Sequence, residues 1–156
     1  MSIESDVAMF ERIPMLRMLG RDALRVLAIG AESRYIDDGE VLFYAGDRSD
    51  GSYLVQEGSF RLRSGSAADE PEKTAEAGAL LGELSLVTET IRPVTAIARE
   101  PSAVIRITRG LFLKMLESYP DAALKLRDQL AARVAEAEKD FEEMRAKLGS
   151  VERSDA

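Results

Sequence analysis

Hydrophobic residues follow two different periods along this chain, and the change between them marks the predicted elements. Between residues 34 and 107, apolar positions alternate or form short runs, such as Val41 to Phe43 and Val104 to Ile107, with glycines between them. A period of two broken by glycine turns is typical of short β-strands. Several such strands in one domain predict an antiparallel β-roll or barrel.

Helical periodicity precedes this region. Residues from about 6 to 13 predict a short helix that Pro14 ends. Residues 21–31 predict a second helix, with Gly20 and Gly30 marking its ends. The segment 64–77 breaks both patterns, because it is polar, small and acidic. We expect it to be an exposed loop between two strands.

Helical periodicity returns near the carboxyl end. Residues 109–118 predict one helix, which Tyr119 and Pro120 end, and Asp121 is placed to cap a second helix running to about Leu148. The fold class is therefore α+β and mainly β, an antiparallel, jelly-roll-like β-roll flanked by N-terminal helices and a long C-terminal helix. The predicted division is a helical segment 1–31, a roll 32–108, helices 109–148 and a tail 149–156.

The last helix carries a narrow apolar stripe with charged flanks. The stripe persists over about four heptads, which is typical of a helix that pairs with another chain. The alternative is that its first half packs on its own roll while its second half frays. We expect a parallel homodimer formed through residues 121–148. The stripe consists of Ala123, Leu126, Leu130, Val134, Ala137, Phe141, Met144 and Leu148.

Composition narrows the possible chemistry. Apolar residues make up 46% of the 156 residues and charged residues 31%, which indicates one globular, soluble domain. The chain has no cysteine and no histidine, which excludes disulfides and thiol chemistry and removes the usual zinc ligands and the usual general base. The net charge of -7 opposes unaided binding to nucleic acid or to an anionic membrane.

The amino terminus gives no sign of export. It has acids at Glu4 and Asp6 and no long apolar run, so we expect neither a signal peptide nor a membrane span. The predicted location is the cytoplasm.

The candidate functional site is the stretch from Gly82 to Leu86 together with Arg92 in the loop that follows. Unpaired N–H groups at the start of the short turn favour an anion, and the planar guanidinium of Arg92 matches phosphate oxygens. Glu83 is a natural acceptor for a sugar hydroxyl, so the set suggests a ribose-phosphate. The alternative is that the helix dipole alone favours Glu83 and that Arg92 is solvated or pairs with Glu89.

The order Gly-Glu-Leu-Ser-Leu at 82–86, then Arg92 and Thr95-Ala96, resembles the phosphate-binding cassette of cyclic-nucleotide-binding domains of the catabolite activator (Crp-Fnr) type. Segments 36–47 and 52–62 resemble two β-roll hairpins of that family, and the cassette spans 78–96. The resemblance runs from about residue 10 to residue 148. The winged helix-turn-helix of the family's transcription factors has no room in the last eight residues, so we expect a stand-alone sensor domain.

The resemblance implies the site residues. Glu83 would accept the ribose 2′-hydroxyl, and Arg92 would hold the cyclic phosphate with amides near Gly82, Leu84 and Ser85. Pro93 departs from the family pattern, because it lacks the N–H that many relatives donate there, so we expect micromolar or weaker binding. The absence of Ser or Thr after the arginine favours cyclic AMP over cyclic GMP. The predicted ligand-binding residues are Gly82, Glu83, Leu84, Ser85, Arg92, Pro93, Val94, Arg133 and Glu138.

The predicted function is a non-enzymatic sensor that binds cyclic AMP or cyclic GMP, needs no cofactor or metal, and shifts its C-terminal helix toward an unknown protein effector. The helix residues near the base would be Arg133, Ala137 and Glu138, with Ala137 where relatives have a threonine. A second hypothesis is a constitutive dimeric interaction module with a degenerate pocket, which Pro93 and Ala137 favour. A third, DNA binding, is opposed by the charge.

Overall fold

Three short helices open the chain. The computed structural model describes residues 2–64 and 71–154, the last five of them through the backbone alone, and begins with α1 (Ile3–Phe10), α2 (Pro14–Arg17) and α3 (Arg21–Gly30). The predicted start of α1 near residue 6 is wrong, because Ser2 and Ser5 form a reciprocal capping box that starts the helix earlier. Pro14 opens α2, as its missing N–H is tolerated at the first helical position.

Eight strands follow within the described residues and form two four-stranded antiparallel sheets. One sheet has the order β1-β8-β3-β6 and the other the order β2-β7-β4-β5. This arrangement confirms the predicted α+β fold with a β-roll. The strands are β1 (Glu32–Ile36), β2 (Val41–Phe43), β3 (Gly51–Glu57), β4 (Ser59–Ser64), β5 (Lys73–Glu76), β6 (Leu80–Leu81), β7 (Val94–Ala98) and β8 (Ser102–Thr108).

The two predicted hairpins are wrong. β1 and β2 lie in different sheets, and so do β3 and β4. At Gly58, with φ of 84°, the chain leaves the first sheet and enters the second. A Cβ at Gly58 would collide with the side chain of Ser102, so this close turn requires glycine. Local alternation predicts strands but does not fix which strands pair.

The predicted loop 64–77 is partly wrong. β5 pairs with β4 in the register Phe60 opposite Ala75, and residues 65–70 lie outside the described residues. Only Ala75 of the four β5 residues is buried. An edge strand with one small buried side chain has almost no hydrophobic period, which explains why its sequence resembles a loop.

Two apolar clusters hold the domain together. One lies between the helices and the first sheet and includes Leu54, Ile105 and Phe112. The other lies between the two sheets and includes Phe43 and Phe60. The first sheet is therefore covered on both faces, which leaves the loops at the end of the roll to form a site.

Two helices close the chain. α4 (Arg109–Ser118) matches the prediction, and α5 runs from Pro120 to Ser154. The predicted cap at Asp121 is wrong, because proline is tolerated at the first helical position and Asp121 lies inside the first turn. The predicted end near Leu148 and the tail from 149 are wrong up to residue 154, because one glycine costs a helix only about 1 kcal/mol relative to alanine. Among the described residues, no helix has both the length and the apolar character that crossing a membrane requires.

Candidate phosphate-binding site

Gly82 forms the floor of the site. It follows β6, which pairs with β3, and its backbone is left-handed with φ of 80° and ψ of 50°. A 3-10 turn (Glu83–Leu86) starts directly after it. A Cβ at Gly82 would collide with Nη1 of Arg92. Both the backbone conformation and this close approach therefore require glycine.

Arg92 is buried beneath this floor, with 4% of its surface exposed. Its Nη2 donates to the Gly51 carbonyl oxygen at 2.8 Å, and its guanidinium carbon lies 4.4 Å from the centre of the Phe43 ring and 5.6 Å from that of Tyr53. Burial lowers the pKa of Arg92, and the nearby Tyr53 hydroxyl partly opposes that effect. Aromatic faces stabilise the cation where water is excluded.

One donor of this guanidinium is unused. Nη1 of Arg92 is buried and has no hydrogen-bond partner within the described ranges, and it faces Gly82. A buried cationic donor without a partner costs stability unless a ligand satisfies it. The first N–H groups of the 3-10 turn start at the same glycine and lack partners inside the turn. The arrangement is suited to an anion such as a phosphate.

Glu83 contacts helix α5. Its Oε1 lies 2.8 Å from Nη2 of Arg133, with about half of the Arg133 side chain and a third of the Glu83 side chain exposed. The contact is an ion pair, and Oε1 of Glu83 is buried against the guanidinium in the described part of the chain. The predicted sugar acceptor is thus present at the site and is joined to the helix expected to move.

Ser85 is used inside the protein. Its N–H donates to the Gly82 carbonyl oxygen at 3.0 Å, and its hydroxyl lies 2.7 Å from that of Thr90. Thr90 in turn lies 2.9 Å from the hydroxyl of Ser49. Both Ser85 groups therefore help to hold the loop, and the phosphate contact expected from the sequence stays a prediction.

The remaining predicted residues are less central. Leu84 and Pro93 are exposed, and Val94 joins Pro93 in lining a small cavity with Leu62, Ser64, Pro71 and Lys73. Glu138 lies exposed on α5, five residues beyond Arg133, and no hydrogen bond or ion pair joins it to the cassette in the described residues. The structure thus brings together Gly82, Glu83, Ser85, Arg92 and Arg133, but not Glu138.

Arg109 is a site residue that the sequence did not reveal. Its Nε donates to the Ser85 carbonyl oxygen at 3.1 Å, and its Nη2 donates to the Ser49 carbonyl oxygen at 2.7 Å. Ser49 and Thr90 were missed as well. One sequence signal could have drawn attention to Arg109. It is a cation in the first turn of a predicted helix, where the helix dipole disfavours positive charge.

Comparison with known proteins identifies the family. The family profile described as cyclic nucleotide-binding domain matches residues 33–119, more than half of the chain, and these residues contain the whole cassette. The chain belongs to the cyclic nucleotide-binding domain family. The predicted resemblance is therefore confirmed, and the family and fold are those of regulatory domains.

Individual relatives agree with this assignment. A lysophospholipase of Neurospora crassa is 32% identical over 101 residues, which cover 64% of this chain but 7% of that protein. The cyclic AMP receptor protein of Thermus thermophilus is 31% identical over 124 residues, covering 75% of this chain and 57% of the relative. The chain thus spans a small part of the first relative and little more than half of the second.

A solved structure shows the same fold. The N-terminal domain of a transcriptional regulator from Streptomyces coelicolor superposes with a TM-score of 0.76, covering 85% of this chain and 94% of that one. With 24% sequence identity, this likeness concerns the fold alone.

Proposed function

We propose that this chain is a regulatory domain that binds cyclic AMP or cyclic GMP at the cassette and thereby changes the position of α5. Nη1 of Arg92 supports this proposal, because it is a buried cationic donor that faces Gly82 and has no hydrogen-bond partner among the residues that the structure describes. A cyclic phosphate resting on Gly82 would supply the missing acceptor, and such charge-assisted hydrogen bonds are among the strongest in proteins.

The sugar would lie beside the phosphate. Glu83 is the first residue of the turn, and its carboxylate would exchange the Arg133 guanidinium, which lies 2.8 Å away, for the ribose 2′-hydroxyl. The turn amides of Glu83 and Leu84 would assist Arg92. Pro93 cannot donate, and the loss of that donor weakens binding by about 1.5–3 kcal/mol relative to relatives that have it.

The base would extend toward α5, where Arg133 already contacts the cassette. Ala137 and Glu138 follow on the same helix, and Glu138 could accept from an exocyclic amino group. Since no hydroxyl follows Arg92, we propose a preference for cyclic AMP. The relative from Thermus thermophilus bears the name cyclic AMP receptor protein, which supports the same choice.

Signal transmission would use the contact between Glu83 and Arg133. A ribose hydroxyl that hydrogen-bonds to the Glu83 carboxylate would displace the Arg133 guanidinium. Loss of this ion pair would change the equilibrium between two positions of α5. Coupling of this kind typically amounts to 1–3 kcal/mol. The domain binds its ligand without converting it, and the moving helix or its dimer surface is read by a protein effector.

We also propose that α5 pairs with a second copy of the chain. Val134, Phe141, Met144 and Leu148 on this helix are each 57–59% exposed. At 100° per residue they fall within about 80° of one another around the helix. Such a stripe is typical of a coiled-coil seam. It also supports the second candidate function, a constitutive dimeric module whose pocket no longer binds nucleotide.

Calorimetric titration with cyclic AMP and cyclic GMP tests the proposal. We expect saturable binding by the parent protein, stronger with cyclic AMP, and a loss of about tenfold or more in Arg92→Ala. Arg99→Ala, which changes an exposed arginine on the roll, should bind like the parent. Absence of binding to either nucleotide at millimolar concentration would leave the dimeric module as the function.

A further inference from the structure

Arg109, the first residue of α4, contacts two separate loops at once. Its Nε donates to the Ser85 carbonyl oxygen at 3.1 Å. Its Nη2 donates to the Ser49 carbonyl oxygen at 2.7 Å and lies 3.3 Å from the Ser49 hydroxyl. Its backbone N–H donates to the Asp50 carbonyl oxygen at 2.7 Å. One residue therefore fixes the backbone of both loops.

One of these loops contains the 3-10 turn of the phosphate site, and the other leads to Gly51, which anchors Arg92. Ser85 belongs to the 3-10 turn, whose first amides would hold the phosphate under the proposed function. Asp50 leads directly into Gly51, whose carbonyl oxygen receives Nη2 of Arg92 at 2.8 Å. Gly51 packs closely against β8, because a Cβ there would collide with the backbone carbonyl of Ile107. The separation of Arg92 from the turn thus depends on what holds the two loops.

We propose that Arg109 is a positioning residue of the nucleotide site, which sets the distance between the 3-10 turn and the anchor of Arg92 and ties both to α4. Its effect on ligand affinity rests on the proposed function, whereas its effect on Arg92 needs no ligand. The planar fork of a guanidinium can bridge two carbonyl oxygens in fixed directions, which an ammonium cannot.

The location of Arg109 supports a role beyond stability. A cation at the amino end of a helix opposes the helix dipole. The cap of α4 is provided independently by the Thr108 side chain, which accepts from the Leu111 N–H. The helix therefore begins without help from the guanidinium, whose Nε and Nη2 donate to the site loops.

The first test uses the protein without ligand. We would record the ¹H–¹⁵N signal of the Arg92 Nε–H and its exchange with water in the parent, Arg109→Gln and Arg109→Lys. Both variants should shift the signal and speed its exchange, because the anchor at Gly51 is loosened. Val7→Ala removes buried atoms of α1 and serves as the destabilised control, in which the Arg92 signal should not move. An unchanged Arg92 signal in both Arg109 variants overturns the proposal.

The second test measures cyclic AMP affinity. Arg109→Gln and Arg109→Lys should each bind about tenfold more weakly, the scale of one charge-assisted hydrogen bond. In an Arg92→Lys background the same changes should have much less effect, because the two residues act together. Full rescue by lysine would show that charge alone matters and would overturn the positioning role.

The outcomes separate the two ideas. If the parent binds neither nucleotide, the proposed function fails, and the Arg92 signal alone decides the role of Arg109. If the parent binds and both Arg109 variants bind equally well, the positioning role fails while the proposed function stands.

Discussion

The carboxylate of Glu83 and the guanidinium of Arg133 lie 2.8 Å apart, and this ion pair joins the phosphate-binding turn to helix α5. The two residues are fifty positions apart in sequence. The pair is partly exposed, so its direct contribution to stability is small, about 0.2–1 kcal/mol. Its importance lies in its position, because it connects the expected sugar acceptor with the helix expected to carry the signal.

A double-mutant cycle should detect this pair. Glu83→Gln and Arg133→Met should each lower the free energy of unfolding slightly, and the double variant should lose less than the sum of the two. The expected coupling is about 0.5 kcal/mol and should shrink at high salt. Urea denaturation of the four proteins measures it. Arg127→Met, on the same helix but paired with Asp128, should show no coupling to Glu83→Gln, and a strictly additive Arg133 cycle would contradict the account.

Gly82→Ala should damage the site in two ways. A non-glycine residue in the left-handed region costs about 1–2 kcal/mol, and the new methyl group would displace the Arg92 guanidinium. We expect a lower melting temperature and loss of detectable nucleotide binding, measured by thermal denaturation and calorimetry. Gly39→Ala is the matched control. Gly39 has φ of 83° and nothing within 4 Å of the added Cβ, so that variant should lose stability but keep its affinity.

Asp6 gives a prediction for pH dependence. Its Oδ1 accepts from Nε2 of Gln56 at 3.1 Å, and burial raises the pKa of Asp6, an effect that the nearby chain terminus partly opposes. The folded state therefore holds the proton more tightly than the unfolded state. This contribution to stability is present below the unfolded pKa of about 4 and is lost as pH rises through the raised folded value.

Asp6→Asn should remove the loss of folding stability that ionisation of Asp6 causes as pH rises. Asparagine keeps the acceptor and adds a donor, which can satisfy the buried Oε1 of Gln56, an atom without a partner in the described residues. We expect the melting temperature at pH 7 to rise by about 2 °C and the gain to disappear toward pH 4. Asp140→Asn, on the exposed part of α5, is the control. A gain that grows as pH falls would have the wrong sign for this explanation.

The exposed stripe on α5 predicts the oligomeric state. Phe141→Asp places a charge in the middle of the seam and should convert a dimer into a monomer, as measured by sedimentation velocity. Lys139→Ala changes the opposite side of the same helix and should leave the dimer intact. If the parent protein sediments as a monomer at high concentration, the proposed pairing of α5 with a second copy is wrong.

Much of the fold could be predicted because its signals are local. The short apolar runs and the glycine turns each lie within a few residues, and the helical stripe repeats every three or four residues. All correspond to observed elements. Strand pairing could not be predicted in this way. Gly58 resembles a hairpin turn, but its partner contact is with Ser102 in a distant strand, and β5 has only Ala75 to indicate its burial.

Some residues of the site could likewise be predicted from the sequence, and others could not. Gly82, Glu83 and Arg92 belong to one cassette and could be found from their spacing. Arg109 could not, because its role depends on two carbonyl oxygens that carry no sequence signal. Similarly, nothing in the sequence shows that the Ser85 hydroxyl is occupied by Thr90.

The most direct test is whether a cyclic nucleotide contacts the unpartnered side of Arg92. We would follow the ¹H–¹⁵N signal of the Arg92 Nε–H while adding cyclic AMP. The Nε–H of Arg106 is the internal reference, because both Nη atoms of that guanidinium already pair with Glu32 and Asp50. We predict that the Arg92 signal shifts and saturates with the calorimetric binding curve while the Arg106 signal changes little. Saturable binding that leaves the Arg92 signal in place, or no binding at millimolar nucleotide, would contradict it.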